Sequence, residues 1–446
     1  ISEFAMESYF GRINLSYLDR YILNVTMRWD GSSRFAPSDR YGYFPSVSLG
    51  WNVSKESFWK FPQTDLKFRL SYGKTGNQDG IGNYAWQPLM SGGINYGNNS
   101  GMAVTSMGNN KLTWETADQY DFGFDLGFWN GKLNMIADIY LKNTNNLLYS
   151  MPLHGTSGFT SITSNIGSMR NYGVEFSING HMNIGKVNWT SSFNISHNKN
   201  KLTKLLGDDL LPIGANRALK VGKELGAFYL FQMDGLYQYD GEVPQPLYDL
   251  GVRAGDVKYH DVDNNGIIND NDRVLTGSSN PDFFGGWNNT FKYKGFQLDV
   301  FFTYMYGNDV YAEWAVTATR PGYRMAITED VAKNRWTAPG SSDKYPRAVN
   351  TLCGHNSKNS TRFLEDGSFI RLRSLTFSYT FPQVMLQKIR LKGLRMYVQG
   401  DNLLLFSKYS GWDPEVSKNM DPQFFGVDLY GVPPSRSVNF GINLSF

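Results

Sequence analysis

The chain closes on Ser437-Val438-Asn439-Phe440-Gly441-Ile442-Asn443-Leu444-Ser445-Phe446, and this stretch decides how the rest is read. Val438, Phe440, Ile442, Leu444 and Phe446 alternate without a break with Asn439, Gly441, Asn443 and Ser445. Successive side chains of a strand point to opposite faces. One face is therefore wholly apolar and the other small or polar. A strand in an apolar medium cannot leave backbone groups unpaired, so it needs neighbours on both sides.

The same period runs back through the chain. Tyr9 to Tyr17, Leu23 to Trp29, Val47 to Val53 and Leu66 to Tyr72 alternate in this way. Tyr120 to Phe128 and Leu133 to Leu141 flank Asn130-Gly131, the residues of a type I′ hairpin turn. Val174 to Met182 and Val187 to Ile195 flank Gly185-Lys186, and Trp287 to Tyr293 and Phe296 to Tyr306 flank Lys294-Gly295. Leu375 to Phe381 and Leu394 to Val398 precede the closing strand at 437–446. Thirteen strands result.

Their connections alternate in length. Short turns fall near 18–20, 54–64, 129–132, 185–186, 294–295 and 382–393; long loops fall near 31–43, 74–118, 144–165, 200–283, 307–368 and 405–436. Outer-membrane barrels have short periplasmic turns and long extracellular loops. The expectation is an all-β, antiparallel transmembrane barrel wall whose last strand runs inward. To keep this alternation, the apolar run Phe228–Leu236 is placed in the extracellular excursion at 200–283 rather than in the wall. An even-numbered barrel needs an odd number of further strands, so residues 1–446 read as the C-terminal part of something longer.

Composition agrees. Aromatics are 15%, charged residues 19%, and Gly reaches 46. A soluble all-β protein is the competing reading. The apolar face carries almost no charge, whereas Arg12, Arg28, Lys67, Arg69, Asp121, Asp125, Asp138, Glu175, Asp299 and Arg395 fall on the other. A charge at a lipid-facing midplane position costs roughly 2–4 kcal/mol, so this segregation favours lipid outside and water inside. A net charge of +3 gives no reason to expect a nucleic-acid partner. The lone Cys353 excludes an internal disulfide framework. No run of about 18 apolar residues offers a membrane helix.

One stretch carries metal chemistry. Asp261-Val262-Asp263-Asn264-Asn265-Gly266-Ile267-Ile268-Asn269-Asp270-Asn271-Asp272 matches a twelve-residue calcium loop. Asp261, Asp263 and Asn265 supply the first oxygens, Ile267 its carbonyl, Asn269 a direct or water-mediated ligand, and Asp272 closes the loop in place of the usual Glu. A structural calcium ion that stiffens the loop is expected; an ion-free Asx-rich turn is the alternative. The five His show no metal-pair spacing, and no nucleophile elbow occurs, so an enzyme is not expected. Trp86, Trp314, Trp336 and Trp412, with Tyr96, Tyr323 and Tyr409, fall in long loops. They are candidates to stack on sugars or grip peptides, or simply to pack the loops.

Several phrases carry a resemblance. These are Ser8-Tyr9-Phe10-Gly11-Arg12, Gly31-Ser32-Ser33-Arg34-Phe35, Tyr43-Phe44-Pro45-Ser46, Tyr72-Gly73-Lys74-Thr75-Gly76-Asn77-Gln78, Trp114-Glu115-Thr116, Asn165-Ile166-Gly167, Phe369-Ile370-Arg371-Leu372 and Tyr409-Ser410-Gly411-Trp412-Asp413-Pro414-Glu415. In this order they resemble the C-terminal barrel portion of a SusC/RagA-like TonB-dependent outer-membrane transporter. The resemblance implies a 22-stranded barrel, with these thirteen strands as the last, and a plug domain not contained here. It implies import of oligosaccharides or peptides beneath a SusD-like surface lipoprotein, driven by TonB-ExbB-ExbD, in a Bacteroidota-type outer membrane. Phe446 would then be the barrel-assembly signal. A ligand-sensing receptor of the same family, and a barrel enzyme, are the alternatives.

Overall fold

The period-two alternation becomes thirteen strands joined in one sheet in chain order. The computed structural model describes residues 2–207, 210–322, 325–349, 354–387, 390–418 and 425–446. Tyr323 and Cys353 lie outside the described residues. The chain divides into two compact units: Ile1–Ile184, Trp189–Asp209 and Lys220–Lys223; and Gly185–Asn188, Leu210–Leu219 and Glu224–Phe446.

The first unit holds Met6–Tyr17, Tyr21–Ser32, Tyr41–Asn52, Thr64–Asn77, Glu115–Phe128, Leu133–Pro152 and Ser161–Ile184, and most of Val187–Leu205. The antiparallel register sets Leu15, Leu23, Leu49, Leu70, Phe122, Ile139 and Val174 in one row across seven strands. One residue along, Ile22, Gly50, Arg69, Gly123, Asp138 and Glu175 make the matching row of the other face. The apolar row stays open, with Leu49, Phe122 and Ile139 about half exposed at 50%, 46% and 56%. In water such a face would drive aggregation; against lipid it needs no cover.

Two turns have the mirror-image geometry that suits strand twist. Asn130 and Gly131 have φ of 56° and 79°, and Lys132 N donates to Trp129 O at 3.4 Å. Leu18 and Asp19, at 54° and 55°, form another, with Arg20 N donating to Tyr17 O at 3.0 Å. A turn near 18–20 is expected, but nothing in a Leu-Asp pair announces its mirror-image type.

The alternation of connection length is looser than expected. The extracellular connections 33–40 and 153–160 are shorter than the periplasmic 53–63 and 381–392. The strands themselves make up the difference. Leu133–Pro152 and Ser161–Ile184 run for 20 and 24 residues, where about 9–11 suffice to span a bilayer. The hairpin carries its pairing far beyond the membrane, so less of it is left as loop.

The second unit holds Phe283–Tyr293, Phe296–Tyr306, Phe369–Thr380, Gly393–Ser407 and Ser437–Ser445. Phe291, Leu298, Phe377, Val398 and Phe440 form one row across all five. The closing strand ends at Ser445, and Phe446 follows it, 78% exposed. The third of these strands starts at Phe369, well before the expected Leu375. Its apolar residues change parity, from Ile370 and Leu372 to Leu375 and Phe377, which hid its first half. A bulge between Leu372 and Ser374 absorbs the extra residue and keeps both halves on one face.

The long excursion spans 206–282, because the flanking strands reach Leu205 and start at Phe283. Ala227–Phe231 pairs with Arg273–Ser278, and Met233–Leu236 with Val257–Tyr259, so the run Phe228–Leu236 stands outside the thirteen-stranded sheet. Phe231, Tyr237, Val257 and Tyr259 give this region a core of its own.

Candidate functional site

The twelve-residue loop leaves the Val257–Tyr259 strand and ends where Arg273–Ser278 begins. Its turn needs left-handed backbone at Asn264 and Gly266, with φ of 55° and 78°. Asp261 accepts from Asn265 N at 3.2 Å and from Gly266 N at 2.6 Å. Asp263 accepts from Asn265 N at 3.2 Å. Asp272, fully buried, closes the loop by accepting from Val262 N at 2.9 Å and Asn269 N at 2.8 Å.

One carboxylate oxygen from each of Asp261, Asp263 and Asp272 lies within 4.8 Å of the other two. Calcium–oxygen bonds of about 2.3–2.6 Å allow ligand oxygens to stand up to ~5 Å apart across the ion. The spacing therefore fits. Burial works to raise the Asp261 carboxyl, but the amides of Gly266 and Asn265 outweigh it and hold the group below the usual carboxylate range.

The other expected ligands have further engagements. Asn265 accepts from Ile267 N at 2.8 Å and donates to Asp263 at 2.9 Å. Asn269 caps the short helix Asp270–Asp272, accepting from Asn271 N at 2.9 Å. Ile267 keeps an exposed side chain, leaving its carbonyl as the relevant group.

The four tryptophans have different local surroundings. Trp314 Nε1 donates to Tyr409 Oη at 3.1 Å, and its ring packs on the core of Phe228, Val310 and Tyr311. Trp336 Nε1 donates to Gln238 at 3.1 Å, with its ring against the core around Tyr259. Both serve packing. Trp86 is half-buried, whereas Trp412 is 79% exposed and Tyr96 88%. Among the four tryptophans, Trp412 is thus the one most open to a ligand.

The shared phrases turn out to be anchors for the loops, a role that no spacing rule reveals. Phe35, Phe44, Ile81, Leu112 and Trp114 form a small external core. The Phe44 ring lies where a Cβ on Gly42 or Gly76 would sit, 2.4 and 2.2 Å away, so those glycines must stay bare. Asn165 grips Thr113 like a paired strand, donating to its carbonyl and accepting from its amide, each at 3.0 Å. In the second unit, Arg371 meets Asp413 at 2.6 Å and Glu415 at 2.9 Å, while Arg373 meets Glu415 at 2.7 Å. On the polar face of the first unit, Arg69 bridges Asp125 at 3.0 Å and Asp138 at 2.8 Å. Near the turn end, a cavity of about 400 Å³ is lined by Lys55, Asp65, Lys67 and Asp125.

Comparison with known proteins gives a consistent set. The family model for TonB dependent receptor-like β-barrels matches residues 2–403. TonB-dependent receptor P3 of Formosa agariphila is 34% identical over 468 aligned positions, covering 100% of this chain and 46% of its own length. TonB-dependent receptor SusC of Bacteroides thetaiotaomicron is 32% identical, covering 98% and 43%. The solved RagAB peptide transporter is 27% identical with a TM-score of 0.87, covering 100% of this chain and 48% of its own. The chain spans about half the length of the curated relatives it matches.

Proposed function

The chain belongs to the TonB dependent receptor-like β-barrel family of the outer membrane, and from that premise we propose that it forms much of the wall of a nutrient importer. The cargo is an oligosaccharide or a peptide. A SusD-like surface lipoprotein covers the extracellular mouth, and TonB-ExbB-ExbD supplies the energy. The observation that carries this reading is the structural correspondence with one chain of RagAB, a peptide transporter, which covers all of this sequence. Similarity to SusC supports the same transporter type. A transporter is read here rather than an enzyme, because the relatives are named as receptors and transporters.

The test is uptake. Cells producing the protein are offered labelled oligosaccharides and labelled peptides, with and without functional TonB. TonB-dependent accumulation of one class supports import and names the cargo class. Ligand-induced transcription without accumulation would replace import by signalling.

Within this reading, loop 261–272 takes a calcium ion. Asp261, Asp263 and Asp272 hold it, with the Ile267 carbonyl, and Asn265 and Asn269 complete the oxygen set directly or through water. The ion offsets three converging carboxylates and stiffens the excursion.

A further inference from the structure

Two periplasmic connections, 53–63 and 381–392, are longer than the turns that serve elsewhere on that side. Each exposes apolar side chains. Phe58 and Phe61 are 61% and 63% exposed, and Val384 and Met385 are 75% and 60%. Exposure in water forgoes the stabilisation that covering each of these large apolar side chains would bring.

The first connection is not loose. Trp59 Nε1 donates to the carbonyls of Phe61 and Thr64, each at 3.1 Å. Glu56 accepts from Tyr21 Oη at 2.6 Å and Trp51 Nε1 at 3.0 Å. Tyr21 and Trp51 are register partners at the turn end of the apolar face. The connection is therefore tied to the face already committed to lipid. Its two lysines also differ, since Lys55 lines the cavity near the turn end whereas Lys60 is exposed and takes no part in that lining. In the second unit, the helical turn Gln383–Leu386 buries Leu386 and presents Val384 and Met385, with Arg390 and Lys392 exposed nearby.

We propose that both connections are interfacial anchors that dip Phe58 and Phe61, and separately Val384 and Met385, into the inner-leaflet phospholipid. Continuity with the lipid-facing wall selects a bilayer as the occupant. The adjoining cations, Lys60 in one and Arg390 and Lys392 in the other, suit anionic headgroups. Aromatic and aliphatic residues beside cations are the combination that binds the headgroup–acyl boundary, about 5–10 Å deep. The anchors account for the length of these two connections.

The test is lipid contact, which does not depend on transport. In a cysteine-free background, Phe58→Cys and Val384→Cys are each labelled with an environment-sensitive fluorophore; Lys186→Cys, in the tight Gly185-Lys186 turn, is the reference. The full protein is placed in vesicles of phosphatidylethanolamine and phosphatidylglycerol, with brominated lipid or aqueous iodide as quencher. The anchors should be quenched by brominated lipid roughly two-fold more than the reference, and correspondingly less by iodide. Quenching by iodide equal to the reference overturns the proposal. So does protection from both quenchers, which would place the side chains against protein.

Discussion

Arg371 Nη2 donates to both carboxylate oxygens of Asp413, at 2.6 and 2.7 Å, and the two side chains keep only 2% and 4% of their exposure. The pair fastens the 408–418 loop to the strand that starts at Phe369. Removing one partner of a buried ion pair costs up to about 3–5 kcal/mol, less here because Glu415 still meets Arg371 at 2.9 Å, whereas replacing both by apolar residues is often neutral. Asp413→Ala should therefore release the loop to protease on intact cells, and Arg371→Met with Asp413→Leu should restore most of its resistance. Equal cleavage in both variants would show that the pair does not hold the loop.

Gly123 lies under the Arg69 bridge. A Cβ there would stand 2.1 Å from Asp138 Oδ1 and 2.7 Å from Arg69 Nη2. Gly11, on another strand, has nothing within 4 Å. Gly123→Ala must push aside the ends of the Asp138 and Arg69 side chains and loosen their bridge, at a cost near the low end of about 1–3 kcal/mol, read as a lower unfolding midpoint in urea. Gly11→Ala should leave that midpoint unchanged or raise it.

The wall was legible in the sequence because lipid outside and water inside impose period two on every strand. The row from Leu15 to Val174 is the physical form of that pattern. The Phe369 half-strand was hidden because a bulge changes parity without changing face. The carboxylates of the calcium-type loop were legible because their ligands are local in sequence. The packing roles of Trp314 and Trp336 were not, because Tyr409 and Gln238 lie far away in the chain. Arg371 and Asp413 could each be read as part of a shared phrase, but their pairing is set by the fold alone.

The turn at Leu18 predicts a gain. Leucine at φ 54° carries a Cβ penalty of roughly 1–2 kcal/mol that glycine lacks and asparagine largely avoids. The side chain is 60% exposed, so little packing is lost. Leu18→Asn should raise the thermal midpoint of the folded barrel, measured by the loss of heat-modifiable migration. A drop would mean that Leu18 makes a contact that outweighs its strain.

His355 predicts a pH dependence. Burial holds its imidazole below the ordinary value of 6.5, and its Nε2–H donates to Val257 O at 2.8 Å. Below pH 6.5 the unfolded segment takes up a proton that the folded one resists. The unfolded state then binds more protons, so stability is present above that pH and falls as the solution is acidified. Amide exchange at Val257 and Tyr259 should accelerate as pH drops from 7 to 5, after correction for intrinsic rates. His355→Gln should flatten the response; an unchanged profile would assign it to another group.

Calcium should act on one loop and through oxygen ligands. A ligand that binds only the folded state at 100 times its dissociation constant adds about 2.7 kcal/mol. Extracellular modules bind calcium at about 10⁻⁴–10⁻³ M, so millimolar calcium is the relevant range. After treatment with chelator, calorimetric titration should show uptake of calcium, and protease should cut 261–272 more slowly in its presence. Asp261→Asn with Asp263→Asn removes two of the three converging charges while keeping the size of each side chain. That variant should lose both effects without losing the thirteen-stranded sheet, checked by its circular dichroism. Failure of the unaltered protein to take up calcium would reduce the loop to a hydrogen-bonded turn, in which the donors of Asn265, Gly266, Val262 and Asn269 offset the carboxylates.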